Sequence, residues 1–240
     1  MILQEALEYL VASLKPETGS LKNWGVLRTK AKELHKLTLD WSLAQVVSLY
    51  KHSLEHFSEE TLQMTAVFFL MCRYTQLASD LSALNRFKDW IEKGTFSSQT
   101  LKRFCEYILL PVINYNTDWR LEMLNWAQNT HFLVRKAAAL SIKKYALDCV
   151  PFCLEVVSIL LGNSPEKEVQ EAVGQVLRQV SKKSKAKFLK YLESNLPVIT
   201  KRTLRIAVGR LPKKQRYEYL HTYKIPKLVG KSNLKNENSG

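Results

Sequence analysis

Apolar residues return every three or four positions in nearly every long stretch of this chain, and that period suits one kind of local structure, the amphipathic helix. Such stripes run through Leu62, Ala66, Phe69 and Leu70, and through Val134, Ala138, Ile142 and Tyr145. Two more run through Val169, Ala172, Val173, Val176 and Val180, and through Leu204, Ala207, Val208 and Leu211. No segment shows the clean alternation of a half-buried strand. Eight glycines and seven prolines in 240 residues are too few for the frequent turns of a sandwich or barrel. Start signals recur at Ser58, at Ser97 and Ser98, at Asn116 and Thr117, and at Ser164 before Pro165, where short polar side chains can cap free backbone N–H groups. Stops are marked near Lys93 and Gly94, at Pro151, at Gly162 and Asn163, and at Pro197. The pattern predicts roughly a dozen helices paired across short connectors.

Helix pairs repeated along a chain of this length predict a solenoid rather than a four-helix bundle. Two segments rich in small residues, Val134 to Leu140 and Val169 to Arg178, let neighbouring helices approach closely, as HEAT repeats of roughly 40 residues do. The expected fold class is therefore all-α, a solenoid of antiparallel helix pairs in HEAT-like repeats with a concave basic face. Residues 1–223 are assigned to the repeat domain and residues 224–240 to a flexible basic tail.

Charge is the next constraint. The chain carries a net +14, yet from Ser181 onward 16 Lys and Arg residues face only Glu193, Glu218 and Glu237. The first 180 residues are close to neutral. A one-sided excess of this kind favours a polyanionic partner. It also falls on chosen helix faces. Gln175, Arg178 and Lys182 lie opposite Val169 and Val180; Lys136 and Lys143 face away from Val134 and Ser141; Arg202 and Arg205 oppose Leu204, Ala207 and Leu211. Stacked repeats would line these stripes into rows, and a duplex offers a charge about every 1.7 Å of its axis.

Other chemistry is not signalled. There is no phosphate-cradling glycine loop, no G-x-S-x-G elbow and no H-E-x-x-H pair. His52 and His56 are four apart beside Glu55, Glu59 and Glu60, but nothing marks a third ligand, so neither metal nor cofactor is expected. The cysteines Cys72, Cys105, Cys149 and Cys153 form no C-x-x-C pair, which suits a reducing cytoplasm. The apolar run Ala66 to Cys72 is too short for a membrane span. Glu5 and Glu8 stand where a signal peptide would be positive. Trp126, beside Met123 and Ala127 on one helical face, reads as core. A monomer is expected.

Three passages carry a resemblance. Asn125-Trp-Ala-Gln-Asn129 is followed by Val134-Arg-Lys-Ala-Ala138; further on come Glu171-Ala-Val-Gly-Gln-Val-Leu-Arg178 and Thr200-Lys-Arg202. From about Trp24 to Arg210 the chain resembles the AlkD-type DNA alkylation repair proteins, HEAT-like-repeat DNA glycosylases, and the middle motif is the most specific. The resemblance implies a channel that wraps duplex DNA through phosphate contacts. It implies that active members release cationic N-alkylated purines with an aspartate steadying the oxocarbenium-like sugar and two tryptophans lying against the deoxyribose.

At the positions matching those groups this chain departs. Aligned back from Pro111, the segment Leu101-Lys-Arg-Phe-Cys-Glu-Tyr-Ile108 puts Glu106 in place of the aspartate and Lys102 in place of one tryptophan, while Gln175 replaces the other. A lysine there repels both the cationic base and the developing sugar cation. Before Trp24 and Gly25 there is room for one helix, Ile2 to Lys15, where the active relatives have two. The expectation is a DNA-binding, catalytically degenerate paralogue with phosphate contacts from Arg135, Lys136, Arg178, Lys182, Lys201, Arg202 and Arg205. Two alternatives stand beside it: an active DNA-alkylpurine N-glycosylase using Glu106 as its charge stabiliser, with Lys102 and Gln175 lining the lesion, and a helical scaffold for an acidic protein partner.

Overall fold

Each stripe read from the sequence is the buried seam of a helix. Ala66, Phe69, Leu70, Val134, Ala138, Ile142, Val169, Val173, Val176, Val180, Leu204 and Ala207 are all excluded from solvent. The side chain of Leu62 lies outside the described residues. The structure, a computed structural model, describes residues 2–14, 24–56 and 60–222. Among these there is no strand, and the chain is an all-α solenoid, as its sequence predicts.

The helices are α1 (Leu3–Leu14), α2 (Trp24–Leu37), α3 (Leu43–His56), α4 (Glu60–Met71), α5 (Tyr74–Ala78), α6 (Leu81–Glu92), α7 (Ser98–Phe104) and α8 (Leu110–Tyr115). There follow α9 (Thr117–Ala127), α10 (Phe132–Ile142), α11 (Val150–Asn163), α12 (Lys167–Lys183), α13 (Lys185–Asn195), α14 (Lys201–Ala207) and α15 (Lys213–Thr222). They stack in two rows. One row runs α2, α4, α7, α10, α12, α14, each packed on the next; α3, α6, α9, α11, α13 and α15 back them. The expected tail, residues 224–240, lies outside the described residues.

Local signals explain most of the boundaries. Ser97 accepts from the Thr100 N–H, Asn116 from Asp118, Ser184 from Lys187 and Thr200 from Thr203, each satisfying an orphan donor at a helix start. Gly94 takes a left-handed φ of 67° just after α6, a conformation that costs glycine little. Two expectations are corrected. Pro151 does not end a helix; it sits in the first turn of α11, where a missing N–H is harmless. Ser164 does not cap α12 either. It lies at the C-terminal end of α11, and Glu166 is the residue before α12.

Between α7 and α8 the helix widens into a π-turn, Cys105–Leu109, in which the Leu110 N–H donates to the Cys105 carbonyl five residues back. Pro111 follows at once. It brings no N–H, and its ring crowds the carbonyl four residues earlier, so the wider turn relieves the conflict. Beneath α7 an aromatic cluster ties the two rows together. Phe104 stacks on Tyr50 at 5.8 Å and meets Phe87 edge-on at 5.0 Å, and Phe87 reaches Trp119 at 6.3 Å. Such pairs add about 0.5–1.5 kcal/mol each beyond their burial. Trp126 is buried, in the core as expected.

Candidate nucleic-acid interface

Neighbouring helices of the first row are joined near their N-termini by buried polar side chains. On α4, Gln63 accepts from Thr100 Oγ1 at 2.9 Å, next to the Ser97 cap of α7. On α12, Gln170 accepts from Thr200 Oγ1 at 3.0 Å and from Thr203 Oγ1 at 2.5 Å, in the first turn of α14. On α10 the same place is taken by Arg135. It donates to Ser164 Oγ at 2.9 Å, to the Asn129 and Thr130 carbonyls at 2.7 Å each, and to Glu166 at 2.5 Å. Only 5% of Arg135 is exposed. Its guanidinium fastens α10 to the start of α12 and is almost wholly withdrawn from solvent, which fits a structural role better than the expected phosphate contact.

The motif glycine has an equally structural cause. A Cβ on Gly174 would meet Ile206 Cβ at 2.8 Å and the Thr203 carbonyl at 3.0 Å. Only a bare Cα lets α12 and α14 cross that closely. Arg178, one turn on, is exposed and lays its guanidinium 3.9 Å from where a Cβ on Gly209 would stand.

The other predicted cations reach solvent. Lys182, Lys201, Arg202 and Arg205 are exposed and Lys136 is half-exposed, its ammonium 3.4 Å from Ser98 Oγ on α7. Arg202 pairs with Glu171, which reduces its charge toward a ligand. Lys201, Arg202, Arg205, Ile206 and Glu171 line an open depression beside α14. Cationic side chains thus stand on α7, α10, α12 and α14, four consecutive members of one row.

Glu106 and Lys102 lie where this row meets the π-turn. Lys102 is exposed on α7; the Glu106 side chain keeps 12% of its surface. It pairs with Lys144, just after α10, and with Arg103 at 3.4 Å. Burial opposes its charge, but the Lys144 hydrogen bond and the charges of Lys144, Lys143 and Arg103 outweigh that and hold it below the ordinary carboxylate value. Lys143, at the C-cap of α10, is shifted the other way. Burial, with Lys102 and Lys144 beside it, lowers its pKa, and Glu106 opposes the shift only in part. Cys105 is buried and its thiol pushed up to about 12, so it is no nucleophile. Gln175 is half-exposed on α12, the row's next member after α10.

Three cations were missed as site residues. Arg103 and Lys144 are beside Glu106 because the π-turn packs on α10, and no local pattern announces that. Arg28 on α2 donates to Tyr107 Oη at 2.8 Å and lies 5.1 Å from the ring centres of both Phe68 and Tyr107. It extends the positive face to α2. Among the described residues no three His, Cys, Asp or Glu side chains come together to hold a metal, and no helix is long and apolar enough to cross a membrane. The side chain of His56 lies outside the described residues.

A two-layer helical stack with one cation-bearing row defines a class of α-solenoid, and comparison with known proteins narrows it. The family described as DNA alkylation repair enzyme matches residues 23–211, and the chain belongs to that family. A solved structure described as a predicted DNA alkylation repair enzyme from Enterococcus faecalis aligns with a TM-score of 0.67 over 87% of this chain and 96% of that one. At 14% identity this likeness shows the fold. No curated protein matches the chain.

Proposed function

We propose that this protein binds duplex DNA through phosphate contacts from the exposed face of the first helix row and does not release N-alkylated purines. The observation that carries the reading is the succession of cations Lys102, Lys136, Arg178, Lys182, Lys201, Arg202 and Arg205 over α7, α10, α12 and α14, in a chain of the DNA alkylation repair family. Lysine and arginine on parallel helices offer point charges to a regular polyanion without reading base edges. The site around Glu106 argues against excision. Its single carboxylate is engaged by Lys144 and Arg103, and the surplus positive charge around it repels a cationic base and an oxocarbenium-like sugar alike.

A salt titration tests the binding. Affinity for duplexes of unrelated sequence should be similar and should fall steeply with salt, each phosphate contact adding about 0.9 to the log–log slope. Replacing Lys201 and Arg205 together by Ala should flatten that slope by up to about two. A slope that does not change on this double substitution means that α14 takes no part, and absence of binding to any duplex ends the proposal.

A further inference from the structure

Lys143 is not placed like a cation whose task is to meet a phosphate. Such a lysine extends its ammonium into water, as Lys182 and Lys201 do. Lys143 is half-buried where α10 ends against the π-turn, and among the described residues its ammonium has no hydrogen bond or ion pair of its own. The carboxylate that acts on it, Glu106, is held by Lys144 and Arg103. Lys102 and Lys144 add like charge to its surroundings. Desolvation together with neighbouring cations favours the neutral form of an amine, and a neutral amine is a nucleophile toward carbonyl carbon. The direction of the Lys143 shift agrees with this geometry.

We propose that Lys143 is a nucleophilic amine acting on abasic deoxyribose in DNA, forming an imine at C1′ and cleaving the strand by β-elimination. This rests on the DNA-binding reading above. The charges around Lys143 choose the substrate class. They repel a cationic base, but an abasic nucleotide has no base, keeps both flanking phosphates for Lys102 and Lys136 to attract, and in its ring-opened form presents an aldehyde.

The chemistry balances without any other reagent than water. Lys143 Nζ adds to C1′, and the carbinolamine hydroxyl takes a proton from solvent and leaves as water, giving a protonated imine. That cation acidifies C2′, whose proton passes to water. The C3′–O3′ bond breaks, and its electron pair leaves with the phosphate of the downstream strand. Water then adds to the imine carbon, releases the unsaturated aldehyde on the upstream strand and returns the free amine.

The test is covalent trapping. The full chain is mixed with a duplex carrying one abasic site, sodium borohydride is added to reduce the imine to a stable secondary amine, and the adduct is mapped by peptide mass. It should map to Lys143. Lys143→Arg keeps the positive charge but lacks the nucleophile; it should bind the abasic duplex within about twofold of wild type and lower adduct yield at least about tenfold. Lys143→Met, checked for helicity by circular dichroism, should lose the adduct as well. Lys88→Ala, at an ion pair with Glu92 on α6, should change nothing. If wild type binds the abasic duplex and no adduct forms, or if the adduct maps elsewhere or survives Lys143→Arg, the amine assignment is wrong while DNA binding stands. If wild type binds no duplex at all, both fall together.

Discussion

Gly174 on α12 and Ile206 on α14 meet so closely that a methyl group on the glycine would stand 2.8 Å from the isoleucine Cβ. The Thr203 carbonyl, 3.0 Å away, is backbone and cannot move aside. Alanine is the better helix former by about 1 kcal/mol, but forcing the crossing apart costs about 1–3 kcal/mol, so strain decides the sign. Gly174→Ala should destabilise the domain in urea unfolding. Gly162→Ala, where nothing lies within 4 Å of the added atom, should be neutral or stabilise by about 0.5 kcal/mol. Equal effects at the two positions would mean that α12 and α14 do not cross this way.

Arg135 tests whether a cation in a family-like motif belongs to structure or to DNA. Arg135→Met removes the donors of four hydrogen bonds and leaves Glu166 without its guanidinium partner. The expected loss is about 2–4 kcal/mol of stability. The salt slope of DNA binding, measured where the variant is still folded, should stay that of wild type, since no phosphate contact has been removed. A slope smaller by about one would return Arg135 to the interface.

Glu106 ties stability to pH. Its pKa in the folded chain lies below the ordinary 4.5, so its ion pairs stabilise the fold above that value and are lost as pH falls through the folded value. Glu106→Gln should cost on the order of 1 kcal/mol near neutrality, given that Lys144 is half-exposed. The difference from wild type should vanish in acid. Thermal unfolding of the two proteins as the pH is lowered from neutrality checks this, and a difference that does not shrink in acid would place the stabilisation elsewhere.

Methylated duplex DNA should yield no free N-alkylated purine above the spontaneous rate, for wild type and Glu106→Gln alike. Losing each 1.4 kcal/mol of transition-state stabilisation costs about a factor of ten, and here the carboxylate is paired away while Lys102 adds an opposing charge. Excision by wild type that Glu106→Gln abolishes would make Glu106 a working catalytic residue.

Much of this could be read along the chain because it is local. Helix faces follow from a period of about 3.6 residues, and the buried stripes of α10, α12 and α14 came from that alone. Ser97, Asn116 and Thr200 cap their helices with bonds that span two or three residues. Pro151 and Ser164 were misread for a related reason: a proline or serine between two helices signals a boundary, but whether it ends one or begins the next depends on where the flanking segments pack.

The sequence by itself determined the all-α class, the family motif and the surplus of cations toward the C-terminus, since periodicity, short-range capping and residue charge are properties of neighbouring residues. Tertiary structure alone decided what each cation does. Arg135 and Lys136 are adjacent, yet one turns inward into four hydrogen bonds with segments up to 31 residues away and the other toward Ser98. Glu106 meets Lys144 only because the π-turn packs against the end of α10. Burial and pairing set whether a charge is bound, free or suppressed, and both arise between helices far apart in the chain, where helical period carries no information.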